Sequence, residues 1–275
     1  MFKQNIAMPR LLFTCAYDGY SYCGWQSQRG GESVQDTIET AMACILKHLL
    51  RIAASGRTDA GVHAHAQCFH ADIPAECRMK PENWVAALNA HLPASIRIIQ
   101  AEEVAEDFHA RFDAVGKEYV YLISRAPVLT PFLHGRAWHI PQPFDADLLE
   151  AALHVYEGEH DFRRFAANRG TEPENPPADF YIRTIYSTRM QAEGDMLRLC
   201  FHGNGFMYRM VRLLVGTAHQ VARGRMSIDA LAAMLQNPQG EKTRYCAPAA
   251  GLYLNRVFYG KTAGAVLAPD GAREK

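Results

Sequence analysis

Gly194-Asp195-Met196-Leu197-Arg198-Leu199-Cys200-Phe201-His202 carries the sharpest pattern in the chain. Leu197, Leu199 and Phe201 alternate with Arg198, Cys200 and His202, the period of two of a strand with one buried face. Gly194-Asp195 is turn chemistry, and residues 181–190 before it read as a second strand, so the pair is an antiparallel hairpin. Outward from the hairpin, strands are expected over 10–16, 61–72, 96–104, 117–124 and 252–259. Ser33 is placed to cap a helix in which Val34, Ile38, Ala41, Met42, Ile45, Leu46 and Leu49 make one stripe. Residues 83–90 suit a short helix, and Asp145 caps another that runs to Tyr156. A longer helix over 206–222 turns Met207, Met210, Val211, Leu214, Val215, Ala218 and Val221 to one side. Helices mixed with frequent hairpins predict an α+β fold on a mostly antiparallel sheet, not a doubly wound one. No short-period repeat is present, although each half offers a strand, a long helix and then strands.

The chain has 275 residues, 48% hydrophobic and 21% charged, with zero formal net charge. That is a globular composition with no overall basic field, so a nucleic-acid role requires a local patch. The seven cysteines are odd in number and none has CxxC spacing, which suits reduced thiols in a cytosol better than a disulfide framework. Neither a signal peptide nor an apolar run of membrane-spanning length is read.

Residues 55–63, Ser-Gly-Arg-Thr-Asp-Ala-Gly-Val-His, place a cation and a carboxylate between two glycines. If the backbone is extended, Arg57 and Asp59 project from one face. A neighbouring guanidinium favours the ionised carboxylate, which can serve as nucleophile or general base. By spacing alone the same residues better describe a turn whose Asp caps the backbone and whose Arg is its surface partner. Two rivals lie close by. His63, His65, Cys68 and His70 are zinc-ligand types, but in a continuous strand the first two face away from the last two, so no metal site is expected. Gly203-Asn204-Gly205 sits between a strand and a helix as a dinucleotide turn would, but Tyr208 stands where the third glycine belongs.

Between Tyr181 and Arg225 there are seven arginines, 183, 189, 198, 209, 212, 223 and 225, against only Glu193 and Asp195. Arg209 and Arg212 are three apart and, on the expected helix, share a side near its start, where phosphate is also favoured. Tyr181, Tyr186, Phe201, Phe206 and Tyr208 are interleaved. Cations for phosphates with rings for bases suit an RNA site; a solvated helix face over core aromatics has the same composition.

Taken together, five stretches resemble the transfer-RNA pseudouridine synthase A family. They are Tyr17-Asp18-Gly19 with Gly24-Trp25-Gln26-Ser27-Gln28; residues 55–64; Ala110-Arg111-Phe112 leading to Lys117-Glu118-Tyr119-Val120-Tyr121; 205–212 running on to Val215-Gly216-Thr217; and Ala247-Pro248 with Gly251-Leu252-Tyr253-Leu254. They follow family order across nearly the whole chain. The resemblance implies a pseudouridine synthase fold, two related halves sharing a mostly antiparallel central sheet with the catalytic cleft between them. On that reading 1–110 is the half carrying Asp59, 111–262 the half carrying the arginines, and 263–275 a loose tail. The resemblance further implies that Asp59 is the catalytic aspartate, that Arg57 lies beside it, and that Tyr119 packs on the target uracil. It implies a homodimer that needs no cofactor, acting on uridines 38, 39 and 40 of the tRNA anticodon arm; with the reduced thiols and the ligand spacing above, a cytoplasmic protein without a metal is expected. Residues 168–179 depart from the pattern: the family loop is short and carries cysteine, whereas this one is longer, acidic and proline-rich.

Overall fold

The computed structural model describes residues 9–28, 30, 32–170 and 172–260; the tail from 263 lies outside them. Two compact units divide the chain, one ending at Val115 and taking up the chain again from Leu254, the other running Gly116–Tyr253.

The first unit opens with β1 (Arg10–Tyr17), α1 (Val34–Leu46), β2 (Ala53–Ala54), β3 (His63–Asp72), α2 (Pro81–His91) and β4 (Ile96–Val104). β1 pairs antiparallel with both β3 and β4, so Phe13 faces Phe69 on one side and Ala101 on the other. The Phe13 and Phe69 rings stack at 5.0 Å, and Trp84 of α2 meets Phe13 edge-on at 6.1 Å. All three rings are completely buried, each stabilising the core by roughly 1.5–3 kcal/mol. α1 starts where expected: the Ser33 hydroxyl accepts from the Asp36 N–H at 3.0 Å. It ends sooner than its stripe suggests. Lys47 turns left-handed, φ 64°, and its N–H closes on Ala43 O at 2.9 Å. Leu49 therefore lies beyond the helix and is exposed. The inner face of α1 also takes Gln35 and Glu39, both buried. Glu39 is satisfied by the Ile52 N–H at 3.1 Å, Gln35 Nε2 at 2.8 Å and the Arg51 guanidinium at 2.7 Å.

The second unit holds β5 (Ala114–Ser124), β6 (Trp138–His139), α3 (Ala146–His154), β7 (Gly158–Asp161), β8 (Ile182–Glu193), β9 (Met196–Gly203), α4 (Met210–Ala222) and α5 (Ile228–Gln236). The hairpin read first is β8–β9, turning at Gly194 with φ 55° and pairing Glu193 with Met196. β9 also pairs antiparallel with β5, β7 adds antiparallel to β8, and β6 runs parallel to β5. Leu197, Leu199 and Phe201 are fully buried, as their alternation requires. Asp145 caps α3 through the Leu148 N–H at 3.0 Å, and α3 packs on α4. α5 was not anticipated, although Ser227 caps it at 3.1 Å and Leu231, Met234 and Leu235 carry helical spacing. β10 (Leu252–Tyr259) closes the described chain. The fold is α+β with a mostly antiparallel sheet, the pseudouridine synthase fold. Among the described residues no helix is long and apolar enough to cross a membrane.

Candidate active site

The segment between β2 and β3 is held from three directions. At its start, the Ser55 N–H donates to Cys68 O at 2.8 Å and its hydroxyl donates to Gln67 Oε1 at 2.6 Å. Gln67, fully buried, donates back to Gly56 O at 2.9 Å. In the middle, Thr58 is buried; its hydroxyl lies 2.8 Å from the Tyr17 hydroxyl, and its carbonyl accepts the Trp25 N–H at 3.1 Å. At the end, the Gly61 N–H donates to Tyr22 O at 3.2 Å and the Val62 N–H to Asp59 O at 3.1 Å.

These contacts say what Tyr17-Asp18-Gly19 and Gly24-Trp25 are for. A Cβ on Gly19 would stand 1.9 Å from Val62 O, and one on Gly24 would stand 2.6 Å from Thr58 O, at φ 106°. Both glycines let the backbone lie directly against the segment that carries Asp59. Beneath it, Trp25 is buried between Tyr17 at 6.0 Å and Phe69 at 5.9 Å. With Thr58 turned inward, exposure alternates along the segment: Arg57 is exposed and Asp59 half-buried. The result is a half-buried carboxylate on a backbone segment held by hydrogen bonds at its start, middle and end.

The zinc-ligand types of β3 have other partners. Nδ1 of buried His63 accepts the Gly19 N–H at 3.1 Å, and Nδ1 of buried His70 accepts the Ala110 N–H at 3.1 Å. Cys68 Sγ lies 3.7 Å from the Thr14 hydroxyl. Among the described residues no group of three or more His, Cys, Asp and Glu is placed to hold a metal ion. Gly203-Asn204-Gly205 likewise closes a strand edge: the Asn204 N–H donates to Thr184 O, and its side-chain oxygen accepts the Thr184 N–H, both at 3.0 Å.

In the second unit Tyr119 sits in β5 opposite Phe201, its ring nearly buried and met edge-on by Phe206 at 5.1 Å. α4 begins at Met210, four residues later than its apolar spacing suggests. Arg209 precedes it with φ 59°, a left-handed conformation that costs a non-glycine residue of order 1–2 kcal/mol. Arg209 and Arg212 therefore do not stand one turn apart on a helix face. Arg209 is exposed and lies 5.0 Å from the Tyr208 ring centroid. Arg212 is half-buried, and its Nε donates to Ala247 O at 2.8 Å, tying α4 to the segment before β10.

Cations that the sequence reading passed over join them. Arg169 lies over Tyr208 at 4.4 Å, while Arg163 at 4.9 Å and Lys242 at 5.9 Å flank Tyr181. Burial lowers the Lys242 ammonium from its ordinary pKa, Glu172 opposes that shift and Arg163 adds to it.

Comparison with known proteins places this arrangement in a family. A profile described as "tRNA pseudouridine synthase" matches residues 14–113 and 152–260. A protein of Akkermansia muciniphila named "tRNA pseudouridine synthase A" is 50% identical over 253 residues, covering 92% of this chain and 96% of that protein. Proteins of the same name from a Geobacillus strain and from Neisseria gonorrhoeae are 39% and 40% identical, each covering 91% of this chain and 98% and 92% of theirs. A solved structure titled as a Cbf5-Nop10-Gar1 complex aligns with a TM-score of 0.36 at 13% identity, over 93% of this chain and 50% of that one, and adds no weight. The sequence matches embrace both compact units together with the Asp59 segment, and the chain belongs to the tRNA pseudouridine synthase A family.

Proposed function

We propose that Asp59 is the carboxylate with which this chain converts uridine to pseudouridine at positions 38, 39 and 40 of the tRNA anticodon arm. The enzyme class follows from the family: a tRNA pseudouridine synthase is an intramolecular isomerase. The uracil N1–C1′ bond breaks, a C5–C1′ bond replaces it, and the C5 proton leaves while N1 gains one. Nothing is oxidised, and no group enters or departs. The observation that carries the assignment to Asp59 is the alternation of exposure at 57–59, with Thr58 buried against the Tyr17 hydroxyl between exposed Arg57 and half-buried Asp59.

A uracil within a stem is stacked and must be turned out before its ribose can be reached. In this reading the Tyr119 ring receives the base and offsets roughly 1–3 kcal/mol of the lost stacking. Arg57, two residues before Asp59, is the cation beside that carboxylate. Asp59 acts at C1′ or the adjacent ribose carbon, and the Tyr119 hydroxyl takes the C5 proton as its own passes on toward N1. Arg209 and Arg212 belong to the surface that engages the phosphates, and two copies of the chain form the working homodimer. The test is incubation of the purified protein with uridine-labelled tRNA followed by nucleoside analysis, beside Asp59→Asn. Pseudouridine at 38–40 from the wild type, formed at least roughly 10²-fold more slowly by Asp59→Asn, supports the reading; turnover by Asp59→Asn near the wild-type rate overturns the assignment of the carboxylate.

A further inference from the structure

The turn Phe108–Asp113 of the first unit is tied down more heavily than its exposure warrants. Arg10 NH1 donates to Phe108 O at 2.8 Å while its other nitrogens grip Asp72, Nε at 2.6 Å. The Ala110 N–H donates to His70, and the Tyr259 hydroxyl donates to Ala110 O at 2.8 Å. The His109 N–H donates to the Asp113 carboxylate at 2.6 Å, and the Arg111 N–H to His109 Nδ1 at 3.1 Å. Rings climb outward through this turn. Buried His70 meets His109 edge-on at 4.7 Å, and His109 lies against Phe112 at 4.3 Å, tilted by 36°. At the top Phe112 is 74% exposed, with the exposed Arg111 guanidinium 5.7 Å from its centroid.

A large apolar ring in water contributes little to folding, and a pinned turn has lost the freedom to fold it away. What such a ring offers is a preordered flat face beside a cation, at no further ordering cost when a flat ligand arrives. A nucleobase with a phosphate next to it has that shape and charge. We infer that Phe112 is a stacking platform for an unpaired base of the RNA substrate, with Arg111 holding an adjacent phosphate. This goes beyond the roles given to Asp59 and Tyr119, and it rests on the reading of tRNA as the substrate.

The test measures tRNA affinity directly, with pseudouridine formation followed separately. Phe112→Ala and Phe112→Leu should each bind tRNA about tenfold more weakly, and Phe112→Trp should bind as the wild type does. Arg111→Ala should reduce the salt slope of binding by roughly one. Melting temperatures check that each variant is folded. Wild-type affinity in Phe112→Leu, which keeps apolar bulk without a ring, would overturn the platform, as would failure of Phe112→Trp to restore binding. Absence of pseudouridine with the wild type, alongside ring-dependent binding, would sink the isomerase reading and leave the platform in place.

Discussion

The Asp59 segment and the approach to α4 place charge at a surface in opposite ways. Around Asp59 every backbone group named above is fixed by a partner, several of them buried, and two glycines admit close backbone contact. Around Tyr208 the cations come from separate parts of the chain and stand over rings, and Arg209 holds a left-handed conformation at the helix start. The first arrangement sets one atom's position. The second sets a field, to which each cation adds a part and in which a displacement of an ångström matters little. On the proposed reading, a site for chemistry and a surface for a polyanion divide along that line.

The largest effect should come from Asp59→Asn, which keeps shape and removes charge. Product formation should fall by roughly 10²–10⁴-fold while tRNA affinity stays at the wild-type value, as nucleoside analysis beside a binding titration would show. A parallel loss of affinity would mean that Asp59 belongs to the binding surface, and the contrast between the regions would fail. Gly19→Ala tests the scaffold without touching the carboxylate. Its Cβ meets backbone at 1.9 Å, so the Asp59 segment must move. Turnover should drop on the order of 10²-fold, with a melting shift reflecting roughly 1–3 kcal/mol of overpacking.

Histidines on both sides respond to acid. His70 is lowered to about 4, first by burial, then by His109 and Arg10. His219 is also lowered to about 4, first by burial, then by Arg223 and Arg225. An unfolded histidine takes up its proton near a pH of about 6.5. As pH falls from there toward 4, the unfolded chain binds protons that the folded one refuses, and stability declines. Urea denaturation at stepped pH should show the decline, and His70→Asn should flatten part of it; an unchanged profile would remove His70 from the account. Arg209→Ala should have the smallest effect, a several-fold loss of tRNA affinity with the salt slope reduced by roughly one. Because Arg212 also holds Ala247 O, Arg212→Ala should lower the melting temperature, which Arg209→Ala should not.

Much of the fold is written in short-range pattern. Leu197, Leu199 and Phe201 announce a half-buried strand, and Ser33 and Asp145 announce helix starts, because alternation and capping are settled within a few residues. The same locality misleads at element ends. Leu49 continues the α1 stripe in the sequence yet lies past the left-handed turn at Lys47, and Met207 continues the α4 stripe yet precedes the helix. Periodicity records which face a residue would take in a helix, not where the helix stops.

The residues at 55–63 by themselves single out Asp59 and Arg57 as a carboxylate and a cation held close in the chain. They do not distinguish a turn cap from a presented side chain. Which side chain of the segment is buried is decided by Tyr17 and Trp25, which hold Thr58 in the core, while Gln67 fixes Gly56 before it. Likewise the count of arginines over 181–225 signals a basic patch, while Arg163, Arg169 and Lys242 join its rings only because the fold brings their segments together. Side-chain type and spacing are properties of the chain; the direction a side chain faces and its neighbours from distant segments are properties of the packing.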